Sequence, residues 1–171
     1  PPSLESASQL TLLAANSVHR ALTDLTGAHL SIKWPNDILL EGKKVCGILA
    51  SLSGPAVILG LGINLLSQRS APDTATSLDQ VASLSFDQVA SAVLANLREG
   101  YSELVSRQDF GFQLEYLRRN CSTLGQQVRA ELPDGSEVRG TAVSISDSGH
   151  LVLKSDSMVE LAAADVWHLR N

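Results

Sequence analysis

Residues 33–49 constrain the fold of this chain more than any other segment, because strand patterns flank a short glycine turn there. Apolar and polar residues alternate over residues 30–34, which predicts a strand with one buried face. The apolar runs at residues 38–40 and 44–52 lie on either side of a turn at residues 41–43, as in a β-hairpin. With a further apolar run at residues 57–61, the pattern predicts a mixed or antiparallel sheet.

Apolar residues recur at three- and four-residue spacing in two segments, which predicts two long amphipathic helices. The first covers residues 10–25, with Ser6 and Gln9 as a capping box and Gly27 as its stop. The second covers residues 89–105 behind a capping box of Ser85 and Gln88, and a shorter helix follows near residues 110–119. The small and polar residues 68–83 predict a long surface loop before the second helix.

After Gly125 the pattern changes to short alternating runs separated by turns, which predicts a small antiparallel β-barrel of about 45 residues. We expect the domain boundary near residues 121–124, with a first domain of residues 1–121 and a second of residues 122–171. The predicted fold class is α+β: a mixed or antiparallel sheet with packed helices, followed by the barrel.

The composition excludes several classes of protein. The net charge of −5 and the scattered Lys and Arg residues argue against nucleic-acid binding by this chain. No apolar run is long enough for a membrane span. Cys46 and Cys121 lack metal-site spacing, so we expect both to be packing residues. Two separated cysteines are also typical of a cytoplasmic protein. The four histidines show no spacing typical of a metal site or a catalytic triad, and no serine lies in a nucleophile elbow.

The polar residues around the predicted hairpin form a candidate site for anions and a metal. Pro35 stops the strand, so the side chains of Asn36 and Asp37 can leave the sheet and offer oxygen atoms to Mg²⁺; an Asx turn explains them equally well. Lys44 starts an apolar strand and could face a ligand, although a lone surface lysine is usually only solvated. Gly47 would let a ligand approach the strand closely, and a bulge is the alternative explanation.

A second glycine-rich strand ends in an amide: Gly60, Leu61, Gly62, Ile63 and Asn64 follow Leu59. This segment is not a dinucleotide fingerprint, because it lacks the third glycine and a helix directly behind it.

Three segments in this order, residues 33–37, 44–49 and 60–64, resemble the catalytic domain of biotin protein ligases, and residues 161–170 resemble the end of that family's C-terminal barrel. The resemblance covers nearly the whole chain. It implies an ATP-dependent reaction in which biotin and MgATP give biotinyl-5′-AMP, after which a lysine of a biotin carboxyl carrier protein takes the biotin. ATP, Mg²⁺, biotin and the carrier protein are therefore the expected ligands and partners, with a homodimer as one option.

The resemblance also assigns roles to individual residues. Lys44 and Asp37 are the catalytic candidates, with Lys44 engaging the biotin carboxylate and the α-phosphate. Asn36, Asp37 and Asn64 fall where the family handles Mg²⁺, phosphates and the adenylate. Gly47, Leu49, Gly60 and Leu61 fall on the strands that wall the biotin pocket, and Arg170 matches a position that can assist ATP binding.

The sequence departs from the family in one major respect. The glycine- and arginine-rich loop that orders over biotin and adenylate is absent, so we expect the chain alone to be inactive or nearly so. Cys46 replaces a common alanine and Ser51 a frequent glutamate, and neither change overturns the resemblance. A lipoate-attaching relative and a non-catalytic binding module with the same fold are the alternative hypotheses.

Overall fold

The computed structural model describes residues 4–54 and 56–169, with side chains from Ala7 onward. Three helices form where apolar spacing predicted them: α1 (Leu4–Thr26), α2 (Phe86–Arg107) and α3 (Gly111–Asn120). The capping box at the start of α2 is confirmed, because Ser85 and Gln88 exchange both side chain to backbone hydrogen bonds. The capping box predicted for α1 is wrong, since Ser6 lies inside a helix that already runs at Leu4. Gly27 follows α1 with φ +65°, as its role of helix stop requires.

The first sheet is entirely antiparallel, with strands β1 (Leu30–Lys33), β2 (Asp37–Leu40), β3 (Lys43–Ser53) and β4 (Ala56–Ile63) paired in chain order. Strands β2 and β3 form the predicted hairpin. Glu41 and Gly42 both adopt positive φ in the turn, which matches the twist of a two-residue hairpin.

One face of this sheet is covered by α1, which contacts β1, β2 and β3, and α2 packs against α1. Side chains on this covered face, such as Ile32, Cys46 and Ile48, are at most 2% exposed. The predicted burial of Cys46 and Cys121 is confirmed; desolvation, reinforced by the Asp37 carboxylate, raises the pKa of Cys46 to about 12.

The second sheet contains β5 (Gln127–Glu131), β6 (Glu137–Ile145), β7 (Leu151–Lys154), β8 (Met158–Leu161) and β9 (Asp165–His168) in the spatial order β8-β7-β6-β5-β9. The antiparallel pairing is confirmed, but the predicted closure into a barrel is not found. Among the described residues no ladder joins the edge strands β8 and β9, because β9 pairs with β5 alone.

Hydrogen bonds from Trp34, which follows β1, and from α3 join the first sheet and its helices to the second sheet. The Trp34 indole Nε1 donates to the Gly149 carbonyl at 3.0 Å, and the Trp34 backbone N–H donates to Thr123 Oγ1 at 3.1 Å. From α3, Arg118 Nη2 donates to the Ile145 carbonyl at 2.6 Å. A single hydrophobic core accordingly continues from the helices into the second sheet. No helix in the described part of the chain has the length and apolarity needed to cross a membrane.

Candidate active site

A row of four residues crosses all strands of the first sheet. Lys33 pairs with Asp37, Asp37 with Gly47, and Gly47 with Gly62. Residues directly opposite each other in antiparallel strands point to the same side of the sheet. These four residues therefore lie on the side away from α1, which we call the open face.

A β-bulge brings Lys44 to the open face. The register between β2 and β3 pairs Ile38 with Cys46 and then Leu39 with Lys44, so that Val45 is skipped. Without this extra residue, Lys44 would alternate onto the covered face with Cys46 and Ile48. Bulges commonly re-aim a side chain beside a functional site. Here the bulge places the Lys44 ammonium group beside Asp37.

Two lysines share the Asp37 carboxylate. Lys44 Nζ lies 2.6 Å from Asp37 Oδ1, and Lys33 Nζ lies 3.8 Å from Asp37 Oδ2. Only 13% of the Asp37 side chain is exposed, against 48% for Lys44. Burial lowers the pKa of Lys33, and the Asp37 carboxylate opposes that shift. With two ammonium groups for one carboxylate, this ion-pair cluster retains positive charge at the surface and can accept an anion.

Gly47 makes room for the Lys44 side chain. A Cβ atom at Gly47 would lie 2.8 Å from Lys44 Cε and 2.9 Å from Lys44 Nζ, closer than such contacts occur in proteins. The absence of a side chain at this position therefore allows Lys44 to lie across β3 towards Asp37. This requirement is specific to glycine and does not depend on an unusual backbone conformation.

Beyond the ion-pair cluster the open face becomes apolar and shallow. Leu49 is 71% exposed and pairs with Gly60, while Ile58, two residues away on β4, is 55% exposed. Three of the predicted pocket residues thus lie on one surface: Gly47, Leu49 and Gly60. Leu61 is not brought together with them: it pairs with Ile48 and packs against the core on the covered face, because neighbouring strand residues alternate.

Asn36 is fixed against β3. Its side-chain Nδ2 donates to the Ile48 carbonyl at 2.8 Å, and the Ile48 N–H donates to the Asn36 carbonyl at 2.9 Å. Its remaining amide oxygen and the Asp37 carboxylate are the two donors predicted for Mg²⁺. Within residues 4–54 and 56–169, His, Cys, Asp and Glu side chains form no group of three or more suited to a metal ion. The donor pair fits Mg²⁺ only if phosphate oxygens complete the coordination.

Asn64 is linked to Lys44 through the loop that follows β4. The Asn64 Nδ2 donates to the Thr76 carbonyl at 2.9 Å, and the Thr76 N–H donates to the Lys44 carbonyl at 2.9 Å. The Lys44 N–H in turn donates to the Thr74 carbonyl at 2.8 Å. The predicted loop therefore lies along β3 at Lys44. It also encloses, with Asn64, a polar cleft of about 390 Å³.

The structure brings Lys44, Asp37 and Gly47 into direct contact, whereas Asn36 is bonded to Ile48 and Asn64 is linked to Lys44 through Thr76. Arg170 lies outside the described residues. Sequence reasoning missed Lys33 as a member of the ion-pair cluster, although its alternation with the buried Ile32 already directed it away from the core. It also missed Thr76, whose role depends on a backbone contact that no side-chain pattern reveals.

Two family models match the chain. The model of the Biotin/lipoate A/B protein ligase family matches residues 3–64, which contain the first sheet and the site residues up to Asn64. The model of the Biotin protein ligase C terminal domain matches residues 123–169, which contain the second sheet.

Curated relatives and solved structures agree with these matches. Over 149 residues the chain is 38% identical to a biotin--[acetyl-CoA-carboxylase] ligase of Mycobacterium tuberculosis, covering 84% of this chain and 54% of the relative. It is 32% identical over 176 residues to the bifunctional ligase/repressor BirA of Bacillus subtilis, covering 95% of this chain and 54% of that relative. The chain thus spans about half the length of the curated relatives it matches.

Among solved structures, the biotin protein ligase from Aquifex aeolicus in complex with biotin and ATP superposes with a TM-score of 0.83 and 27% identity, covering 95% of this chain and 72% of that chain. A further structure of the biotin protein ligase from Aquifex aeolicus gives a TM-score of 0.86 at 26% identity, covering 95% of this chain and 76% of that chain.

Proposed function

We propose, on the premise that this chain belongs to the biotin protein ligase family, that it carries part of the active site for ATP-dependent attachment of biotin to a protein. In the first step, a biotin carboxylate oxygen attacks the α-phosphorus of ATP, the bond to pyrophosphate breaks, and biotinyl-5′-AMP forms. In the second step, the amine of a lysine on a biotin carboxyl carrier protein attacks the acyl carbon, loses a proton and displaces AMP.

The observation that carries this proposal is the ion-pair cluster beside a bare apolar surface. The attack of a carboxylate on a phosphate ester brings two anions together, so a fixed positive charge between them lowers the barrier. The Lys44 ammonium group provides that charge, and the Asp37 carboxylate at 2.6 Å holds it in place. We therefore assign Lys44 to the reacting oxygens and Asp37 to the orientation of Lys44.

The neighbouring surface suits the rest of the substrate. Gly47 and Gly60 lack side chains and Leu49 is exposed beside them, which supports a biotin ring and chain lying flat on the open face. We place the adenylate towards Asn64 and the loop at Thr76. Asn36 and Asp37 would face Mg²⁺ that arrives with the phosphates of ATP, where the ion would neutralise phosphate charge.

Substitution of Lys44 tests the proposal. In the complete gene product, Lys44→Ala should slow formation of biotinyl-5′-AMP by roughly a hundredfold, as expected when a preorganised charge is removed. Pyrophosphate release measures this rate, and circular dichroism checks that the fold is kept. The matched control is Lys43→Ala, which removes the adjacent exposed lysine of the same hairpin and should change the rate less than about twofold. Normal adenylation in Lys44→Ala would exclude the assigned role.

Binding measurements separate the other hypotheses. Calorimetry should show binding of biotin and ATP; preference for lipoate would indicate the lipoate-attaching relative, and binding of neither ligand would indicate an interaction module.

The finer predictions belong to the same proposal: residues 1–121 and 122–171 as two domains, a carrier protein as partner, a homodimer as one option, and no contact of this chain with nucleic acid. The cytoplasmic location is supported by two free, well-separated thiols.

A further inference from the structure

Residues 74–77, which we call the clasp, leave a turn closed by the Ala75 N–H and the Pro72 carbonyl and extend the first sheet by one bridge where β4 ends. The last β4 residue, Ile63, pairs with Cys46, and beyond it Ala75 forms a parallel bridge with Lys44. The clasp therefore occupies the edge of β3 at the residue that bears the proposed reacting ammonium group. Both the N–H and the carbonyl of Lys44 hydrogen bond to it.

The clasp is tied to the rest of the loop by Asp79. One carboxylate oxygen accepts hydrogen bonds from the Ser77 hydroxyl at 2.5 Å and the Ser67 hydroxyl at 2.9 Å. The other oxygen accepts from the Ser67 N–H at 2.9 Å. Asp79 thus joins Ser67, at the start of the loop, to Ser77, at the end of the clasp, and holds the two hydroxyls 3.0 Å apart. The bonds from Ser77 and then Ser67 hold the pKa of this carboxyl at about 2, so it is ionised across the physiological range.

Backbone contacts and burial anchor the same junction. The Leu78 N–H donates to the Asn64 carbonyl at 2.9 Å, and the Asp79 N–H donates to the Leu65 carbonyl at 3.1 Å. The Leu78 side chain is fully buried and the Ser77 side chain is 4% exposed. The hydrophobic anchor at Leu78 keeps the loop attached to the core, whereas the Asp79 carboxylate holds the clasp at Ser77, the residue after the Thr76 that is bonded to Lys44.

We propose that Asp79 is a positioning residue for Lys44: by closing the loop between Ser67 and Ser77 it holds the clasp against the backbone of Lys44. This inference rests on the proposed function for its kinetic consequence, but its structural consequence is independent of it. Asp79 does not contact the ion-pair cluster. Its effect reaches Lys44 through the hydrogen bonds between the clasp and β3.

The test compares Asp79→Ala with Asp73→Ala in the complete gene product. Asp73 is an exposed acid of the same loop outside the Ser67–Ser77 network, so it controls for charge and location. Asp79→Ala should lower kcat of adenylation about tenfold, because Lys44 is no longer held in its reactive position, with KM for biotin within about twofold. Asp79→Asn keeps one acceptor oxygen and should give an intermediate kcat. The melting temperature should stay within about 2 °C, since the Leu78 anchor remains.

Amide hydrogen exchange provides the second measurement. Exchange at the N–H groups of Lys44 and Thr76 should become faster in Asp79→Ala, while the N–H of Ile48, bonded to Asn36, serves as an unchanged reference. Unchanged exchange at Lys44 and Thr76, or a matching loss of melting temperature and kcat, would overturn the proposal. If even the wild-type protein makes no adenylate, the proposed function fails, and the exchange result alone decides the role of Asp79.

Discussion

The two faces of the first sheet are built from the same strands but carry opposite kinds of side chain. On the covered face, Cys46 and Ile48 of β3 are almost completely buried beneath α1. On the open face, the intervening position is Gly47, the next one is the exposed Leu49, and β4 contributes Gly60 and Gly62. The covered face is filled as a protein core is, whereas the open face is cleared of side chains at its centre.

This difference indicates what each face is for. A sheet that needed only stability would place β-branched residues on both faces, since glycine weakens a strand. The open face instead combines glycines, an exposed leucine and an ion-pair cluster with excess positive charge. Large apolar side chains left exposed beside charged groups are typical of a ligand surface. Changes on the covered face should therefore affect folding, and changes on the open face should affect binding and catalysis.

The sharpest test substitutes two adjacent residues of β3. Ile48→Ala on the covered face should reduce the free energy of unfolding by about 3 kcal/mol, because a fully buried side chain leaves a cavity. Leu49→Ala on the open face should change it by less than about 0.5 kcal/mol, but should weaken biotin binding roughly tenfold. Denaturant titration and calorimetry measure the two effects. If Leu49→Ala destabilised the fold as much as Ile48→Ala, the distinction between the faces would fail.

Two glycine substitutions sharpen the comparison within the open face. Gly47→Ala should lower kcat of adenylation by roughly tenfold, because the new methyl group displaces the flexible end of Lys44. Gly60→Ala is the matched variant, since a Cβ there meets only the Leu49 carbonyl at 3.8 Å. We expect it to raise KM for biotin while kcat changes less. Steady-state kinetics separate these effects, and equal kcat losses in both variants would contradict the role of Gly47.

The sequence was sufficient wherever a structure depends on contiguous residues. The hairpin turn at Glu41 and Gly42 and the capping box at Ser85 form as predicted, because each is completed within four residues. Ser6 and Gln9 fit the same capping pattern inside α1, so the pattern alone does not fix where a helix begins. The motif predicts Leu61 beside Gly60 in the pocket, although strict alternation along a strand places the two residues on opposite faces.

The remainder of the site depends on contacts between distant parts of the chain. The skipped residue Val45, which turns Lys44 to the open face, appears only in the register between β2 and β3. The bridge of Ala75 to Lys44 is formed by backbone groups, which carry no sequence signature. The open edges of the second sheet likewise follow from the pairing of β9, and alternation predicts strands without predicting whether a sheet closes.

Acid should destabilise the fold through two histidines whose pKa is lowered in the folded chain. His19 of α1 lies between the Tyr116 hydroxyl at 2.9 Å and the Leu30 carbonyl at 3.1 Å, and burial lowers its pKa from 6.5. Burial, and then the positive charge of Lys33, lowers the pKa of His168. The unfolded chain therefore binds more protons than the folded chain below pH 6.5, so stability is complete above that pH and decreases as the pH falls through it.

The change of the unfolding free energy with pH, measured between pH 7 and pH 5, quantifies this effect. Each histidine can contribute at most about 1.4 kcal/mol per pH unit to this slope. His19→Gln should reduce the slope and leave a remainder from His168, whereas the exposed His29→Gln should keep most of it. The substitution also removes the hydrogen bonds to Tyr116 and Leu30, which lowers the free energy of unfolding equally at every pH. This loss does not affect the slope. An unchanged slope in His19→Gln would exclude His19 as the source of the acid sensitivity.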